Sequence, residues 1–141
     1  MKLFVDANVL ISVLNKEYPL FSYSSRILSL AGSSKFQLYT SPICLAIAFY
    51  FAEKKYKAEK AKAKINLLCE YINIAETSER CVIKALRDKS VLDLEDGFEY
   101  YSAVESKCHC IITKDTDDFY FSKMEVVSCE VFFEKYLMKR K

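Results

Sequence analysis

The stretch Lys2-Leu-Phe-Val-Asp6-Ala-Asn8-Val-Leu-Ile-Ser-Val-Leu14 decides the fold. Leu3 to Val5 is an apolar run of strand length, Asp6 closes it, and Asn8 to Leu14 continues with helical spacing. In an open α/β sheet, ligands collect at the carboxyl ends of the strands. Asp6 is therefore expected at the mouth of the sheet. Two uses fit a carboxylate there: capping the next helix, or holding a divalent cation. The other acids of the chain decide between them.

Working outward, Leu20 to Ala31 is amphipathic and stops at Gly32, the pattern of a helix with a glycine end. Phe36 to Thr40 reads as a strand. Ser41-Pro42 opens a helix to about Glu53, so apolar that it is expected to be buried. A lysine-rich helix follows to about Glu70, then a short strand at Tyr71 to Ala75 and a helix capped by Thr77 or Ser78. Asp93-Leu-Glu95-Asp96 sets a capping residue three positions before an acid and starts a helix to about Glu105. Cys110 to Thr113 is a strand, Asp115 to Phe119 a loop or single turn, and Val126-Val127 a last strand before a helix from Cys129 to Met138. Strands alternating with helices predict an α/β fold with a parallel sheet covered on both faces.

The bulk composition narrows the class. A chain of 141 residues is expected to form one domain, residues 1–141, with a real core. With 52% hydrophobic residues and only two glycines and two prolines, it is neither disordered nor fibrous. No segment reads as a signal peptide or membrane span, so the expected location is the cytoplasm. Cys44, Cys69, Cys81, Cys108, Cys110 and Cys129 are expected to be reduced thiols, mostly buried. Cys108-His109-Cys110 lacks a second ligand pair at zinc-site spacing. The net charge of +2 is unevenly spread. Lys54, Lys55 and Lys57 begin a basic run to Lys64, while 93–99 and 115–118 are acidic. An acidic centre beside a basic patch suits an enzyme that holds metal and grips a phosphate backbone. A solvated helix face explains the lysines equally well.

Three acidic places stand out: Asp6 after the first strand, Asp96 in the first turn of a helix, and Asp115 with Asp118 after a late strand. Hard cations such as Mg²⁺ and Mn²⁺ take such oxygen ligands, and ions so held activate water and stabilise charge on a scissile phosphate. Asn8 and Thr113 are candidates to orient a ligand, and Glu95 and Glu99 to act as outer ligands or as a base. Taken singly, Asp96 also suits a helix dipole and Asp115 and Asp118 suit a turn.

These residues resemble the motifs of the PIN domain, the metal-dependent ribonuclease domain of VapC-type bacterial toxins. Phe4-Val-Asp6-Ala-Asn8-Val-Leu10 is similar to its first motif, Asp93-Leu-Glu95-Asp96-Gly-Phe-Glu-Tyr-Tyr to its late acidic motif, and Ile111-Ile-Thr113-Lys-Asp115-Thr-Asp-Asp118-Phe119 to its final motif. The resemblance runs nearly end to end. It implies a three-layer α/β/α sandwich, Mg²⁺ or Mn²⁺ held by Asp6, Asp96 and Asp115, and cleavage of RNA. It also implies a homodimer and, as in toxin members, a small antitoxin partner; no membrane association is expected, since no run is apolar and long enough to span a bilayer.

One departure matters. The resemblance calls for a glutamate in the helix after the second strand, near Ala46 to Ala48, and no acid stands there. Glu53, the first acid of that helix, lies about 10 Å further along its axis. Asp118 or Glu95 is the expected compensation. Without one, the chain would bind RNA without cutting it. A phosphate-accepting receiver-like domain is disfavoured, because it wants an acidic pair where this chain has Asp6 alone.

Overall fold

The acidic motifs need a rigid frame, and the central strand supplies it. In the computed structural model, which describes residues 1–138, Leu3, Phe4 and Val5 of β1 (Lys2–Val5) are fully enclosed. A continuous apolar run of this kind marks a parallel strand covered on both faces. The other strands are β2 (Gln37–Thr40), β3 (Asn73–Ile74), β4 (Cys110–Ile112) and β5 (Glu125–Val127). They line up in the order β3-β2-β1-β4-β5, every pair parallel. The register sets Phe4 beside both Tyr39 and Ile111.

From β1 the chain runs through α1 (Ala7–Leu14) and α2 (Phe21–Ser29) to β2, then through α3 (Pro42–Tyr56) and α4 (Ala58–Leu68) to β3. It returns through α5 (Glu79–Arg87) and α6 (Leu94–Glu105) to β4, on the other side of β1. With right-handed crossovers, that reversal sends α5 and α6 to the face opposite α1–α4. After β5, α7 (Cys129–Phe132) packs against α2. The result is the expected α/β/α sandwich, and its topological switch point lies between β1 and β4.

Local chemistry fixes the helix starts. Asp6, Ser41, Ser78, Asp93 and Ser128 each accept a backbone N–H of the helix they open. Ser78, not Thr77, caps α5; the Thr77 hydroxyl is bonded to Ser102 at 2.8 Å. Gly97 lets α6 approach its neighbours: a Cβ there would lie 2.6 Å from Val91 Cγ1 and 3.1 Å from Ala85 Cβ.

The expectation that the helix after Pro42 is buried is corrected. Only Cys44, Ala48 and Ala52 of α3 are buried, one stripe at i, i+4, i+8, while Tyr50 and Phe51 are 55% and 42% exposed. An outer-layer helix offers the core one face, whatever its composition. α3 also runs past Glu53 to Tyr56, and Lys57, at φ 72°, breaks it from α4. The last helix is α-helical only to Phe132 and continues as a π-helical turn over Phe133–Leu137, with Met138 N–H donating to the Phe133 carbonyl. The six cysteines are free thiols, five of them buried. His109 accepts the Lys2 N–H through Nδ1, a structural tie between strand ends. Among the described residues, no helix is long and apolar enough to cross a membrane.

Candidate active site

The switch point gathers side chains from four elements. Asp6 follows β1 and is 7% exposed. Its Oδ1 accepts the Ala7 N–H at 2.6 Å, and its Oδ2 accepts the Thr113 hydroxyl at 2.8 Å. Thr113, fully buried at the end of β4, in turn accepts from Asn8 Nδ2 and from the Asp115 N–H, both at 3.1 Å. Asn8 Nδ2 also lies 3.4 Å from Asp115 Oδ2, and Asn8 Oδ1 accepts the Lys114 N–H at 3.0 Å. Asn8 and Thr113 thus lock the loop after β4 against the start of α1. Asp6 does cap α1 through Oδ1, while Oδ2 is held by Thr113.

α6 brings the second group of acids. Asp93 caps it by accepting the Glu95 N–H at 3.0 Å. Glu95, Asp96 and Glu99 then share one face through i, i+3 and i, i+4 spacing. One ligand oxygen from each lies within 4.8 Å of the others. Glu99 is only 2% exposed, and its Oε1 has no hydrogen-bond partner among the described residues. Burial, then the neighbouring Asp6 carboxylate, push its acid up to about 11. Partial burial with Asp93, Asp118, Asp6 and Glu95 nearby pushes Asp96 up to about 7. Desolvation and surrounding acids also raise Glu95 and Asp118.

The remaining candidates lie further out. Asp115 and Asp118 are exposed at the two ends of a single 3₁₀ turn after β4, with the Asp118 N–H donating to the Asp115 carbonyl. Asp115 reaches the cluster through Asn8, whereas Asp118 reaches it only through charge. Lys54, Lys55 and Lys57 are exposed at the far end of α3, about 15 Å along its axis from the acids. Lys55 Nζ donates to the Asn15 carbonyl at 2.6 Å, and Lys54 Nζ sits 4.2 Å from the centre of the Tyr50 ring.

One residue of the cluster escaped the sequence reading. Cys44, in the first turn of α3, is fully buried with Sγ 3.8 Å from Asp6 Oδ1. Burial, with Glu99 and Asp6 close by, pushes its thiol well above the usual range. The available signal was its place in the turn that Ser41-Pro42 announces, directly after β2. The burial of Glu99 was foreshadowed by its spacing from Ala103, one turn along the inner face of α6.

Two buried carboxylates that face each other across a site with an unpartnered oxygen are poorly compensated by protein alone. A divalent cation satisfies such a donor set, so the acids around Glu99, with Asp6 on one side and Glu95 and Asp96 on the other, fit one. An open apolar groove of about 550 Å³ begins at Asn8 and Lys114 and runs past Ile11, Leu20 and Phe51.

A wholly parallel sheet with acids clustered at its switch point defines an α/β/α protein with an acidic cluster at the carboxyl ends of its strands. Residues 2–117 match the PIN domain. The chain is 30% identical over 139 residues to Ribonuclease VapC1 of Aquifex aeolicus, spanning 96% of this chain and 95% of that protein. The chain belongs to the PIN domain family. Among solved structures, it resembles VapBC-1 from nontypeable Haemophilus influenzae with a TM-score of 0.70 and 17% identity, over 92% of this chain and 99% of that one. VapBC2 from Rickettsia felis, bound to a DNA fragment from its promoter, gives 0.66 and 19%, over 91% and 98%.

Proposed function

We propose that this single-domain protein is a metal-dependent endoribonuclease that cleaves RNA phosphodiester bonds, and that it is the toxin of a toxin–antitoxin pair. The observation that carries the reading is that two ligand clusters, Asp6 with Cys44 and Glu99, and Glu95 with Asp96 and Glu99, meet at Glu99 beside the switch of the sheet. The likeness to Ribonuclease VapC1 supports it.

Asp6, Asp96 and Asp115 would hold Mg²⁺ or Mn²⁺, with Asp118 as a fourth acid at the rim. Bound there, such a cation activates water and offsets the negative charge gathered on a scissile phosphate. Thr113 fixes the Asp6 carboxylate through its hydroxyl, and Asn8 keeps the Asp115 loop in place. Glu95 would supply further negative charge as an outer ligand or base, and Glu99, protonated in the metal-free chain, would join it as a carboxylate once a cation displaces its proton. Lys54, Lys55 and Lys57 would grip the RNA backbone away from the cut, giving affinity more than sequence choice. The partners of this reading are RNA, a second copy of the chain and a small antitoxin protein, in the cytoplasm. Exposed Tyr50 and Phe51 on α3 supply apolar surface for a protein partner.

A second reading keeps the fold and RNA binding but not catalysis. The absence of an acid at Ala46 to Ala48 favours it. Metal-stripped protein incubated with total RNA, with Mn²⁺ or Mg²⁺ restored and Asp96→Asn alongside, separates the two. Cleavage that needs the metal and vanishes in the variant supports the nuclease. A folded protein that binds RNA and never cuts it supports the second reading.

A further inference from the structure

The acid missing from α3 leaves a gap in the expected donor set, and the structure fills that gap with two other side chains. Cys44 enters from the first turn of α3 and Glu99 from α6, and both meet Asp6. All three are buried, at 0%, 2% and 7% exposure. One ligand atom from each lies within 4.8 Å of the other two. A sulfur and an oxygen bound tetrahedrally to one borderline cation stand about 3.6 Å apart. Cys44 Sγ and Asp6 Oδ1 stand at 3.8 Å. Glu99 Oε1 is enclosed, has no partner among the described residues, and belongs to the side chain that faces Asp6. The N-terminus of α3, a helix of fifteen residues with no acid in its first turn, points its partial positive charge at the same spot.

We propose that Asp6, Cys44 and Glu99 form a mixed carboxylate–thiolate site that takes a borderline divalent cation such as Zn²⁺ or Co²⁺ in preference to Mg²⁺. The inference rests on the metal-dependent reading above and departs from it in the ligands: a sulfur joins the oxygens, and Glu99 replaces the absent helix acid. On binding, the S–H bond of Cys44 and the carboxyl O–H bond of Glu99 break, both protons pass to solvent, and the freed sulfur and oxygen pairs bond the cation. Three protein ligands leave a fourth position for a water molecule, the arrangement of a working rather than a purely structural metal site. Soft sulfur in the set is what discriminates against Mg²⁺.

Titration of the metal-free protein with Co²⁺ tests this without any RNA. A stoichiometric sulfur-to-cobalt charge-transfer band in the near ultraviolet is expected. Cys44→Ser should abolish the band and lower Co²⁺ affinity by at least about 10-fold, with Mg²⁺ affinity unchanged. Glu99→Gln should weaken Co²⁺ binding while keeping the band at saturation. Cys44→Ala serves if the serine variant misfolds by circular dichroism. Tight Co²⁺ binding with no band, or a band that survives in Cys44→Ser, overturns the proposal but leaves an all-oxygen metal site standing. If neither Co²⁺, Mn²⁺ nor Mg²⁺ binds, the metal-dependent reading fails with it.

Discussion

Replacing Glu99 by glutamine should change how the metal-free protein responds to pH. Glu99 has an ordinary value of 4.5 and is pushed up to about 11 in the folded chain, chiefly by burial and then by Asp6. The folded protein therefore keeps a proton that the unfolded chain releases above 4.5. Stability from that protonation is whole below 4.5 and is lost as pH rises towards 11. Across any interval between those limits the loss is one proton's worth, about 1.4 kcal/mol per pH unit. From pH 6 to pH 8 that amounts to about 2.7 kcal/mol, and the slope is the same for any folded value well above 8. Glutamine cannot titrate, so Glu99→Gln lacks this slope, while slopes from Asp96 and the other acids are common to both proteins and cancel. Urea unfolding in chelator at both pH values should show wild type losing about 2.7 kcal/mol relative to the variant. Any pH-independent effect of the substitution drops out of that comparison. Saturating Mn²⁺ should flatten the wild-type slope, since a cation replaces the proton between the carboxylates. Parallel stability profiles in chelator would refute the reasoning, because they would mean that Glu99 is already ionised at pH 6 in the folded chain.

Other outcomes follow from single contacts. Asp96→Asn should lower metal-dependent RNA cleavage by at least about 100-fold with the fold intact by circular dichroism; comparable rates would remove Asp96 from the site. Thr113→Val strips the donor from buried Asp6 Oδ2 and should destabilise the protein by about 1–3 kcal/mol, read by thermal unfolding, and weaken Mn²⁺ binding about 10–100-fold. Gly97→Ala gains about 1 kcal/mol in helix propensity, but its methyl would meet Val91 Cγ1 at 2.6 Å. The net effect expected from overpacking is a loss of about 1–3 kcal/mol, measured as a lowered melting temperature. Exchanging Lys54, Lys55 and Lys57 together for glutamine should weaken RNA binding and lower its salt dependence by about two in the log–log slope, while Mn²⁺ affinity stays unchanged.

Most of the fold was readable because it rests on local signals. The Leu3 to Val5 run, the Ser41-Pro42 and Asp93 starts and the apolar Cys110 to Ile112 run each carry their own periodicity or cap, and alternation of strand and helix does the rest. The burial of α3 was not readable in this way. Its residues are apolar on every side, so composition hides which stripe faces inward, and only packing against α1 and α4 selects Cys44, Ala48 and Ala52. The site shows the same division. Asp6, Asp96 and Asp115 stand out as motif aspartates, and Asn8 and Thr113 as their polar neighbours. Cys44 does not, because a lone cysteine in an apolar helix looks like core until a carboxylate is found beside it. Glu99 was visible as an acid at helical spacing from Glu95 and Asp96, but its enclosure is a tertiary fact, set by Asp6 at the far end of the chain.

That distance along the chain governs when the site comes into being. The ladder that joins β1 to β4 pairs residues 3–5 with residues 110–112, and Asp6 receives its Thr113 hydroxyl only after that pairing forms. Contacts of such long sequence separation form late, because a large loop must close before they contribute. During synthesis the first strands and the lysine segment leave the ribosome well before β4 exists. The nuclease proposed here would therefore pass most of its own translation with its acids unassembled, in contact with the ribosomal and messenger RNA that an assembled site would threaten. The late pairing of β4 with β1, rather than a separate inhibitor, would be the first safeguard of the cell that makes it.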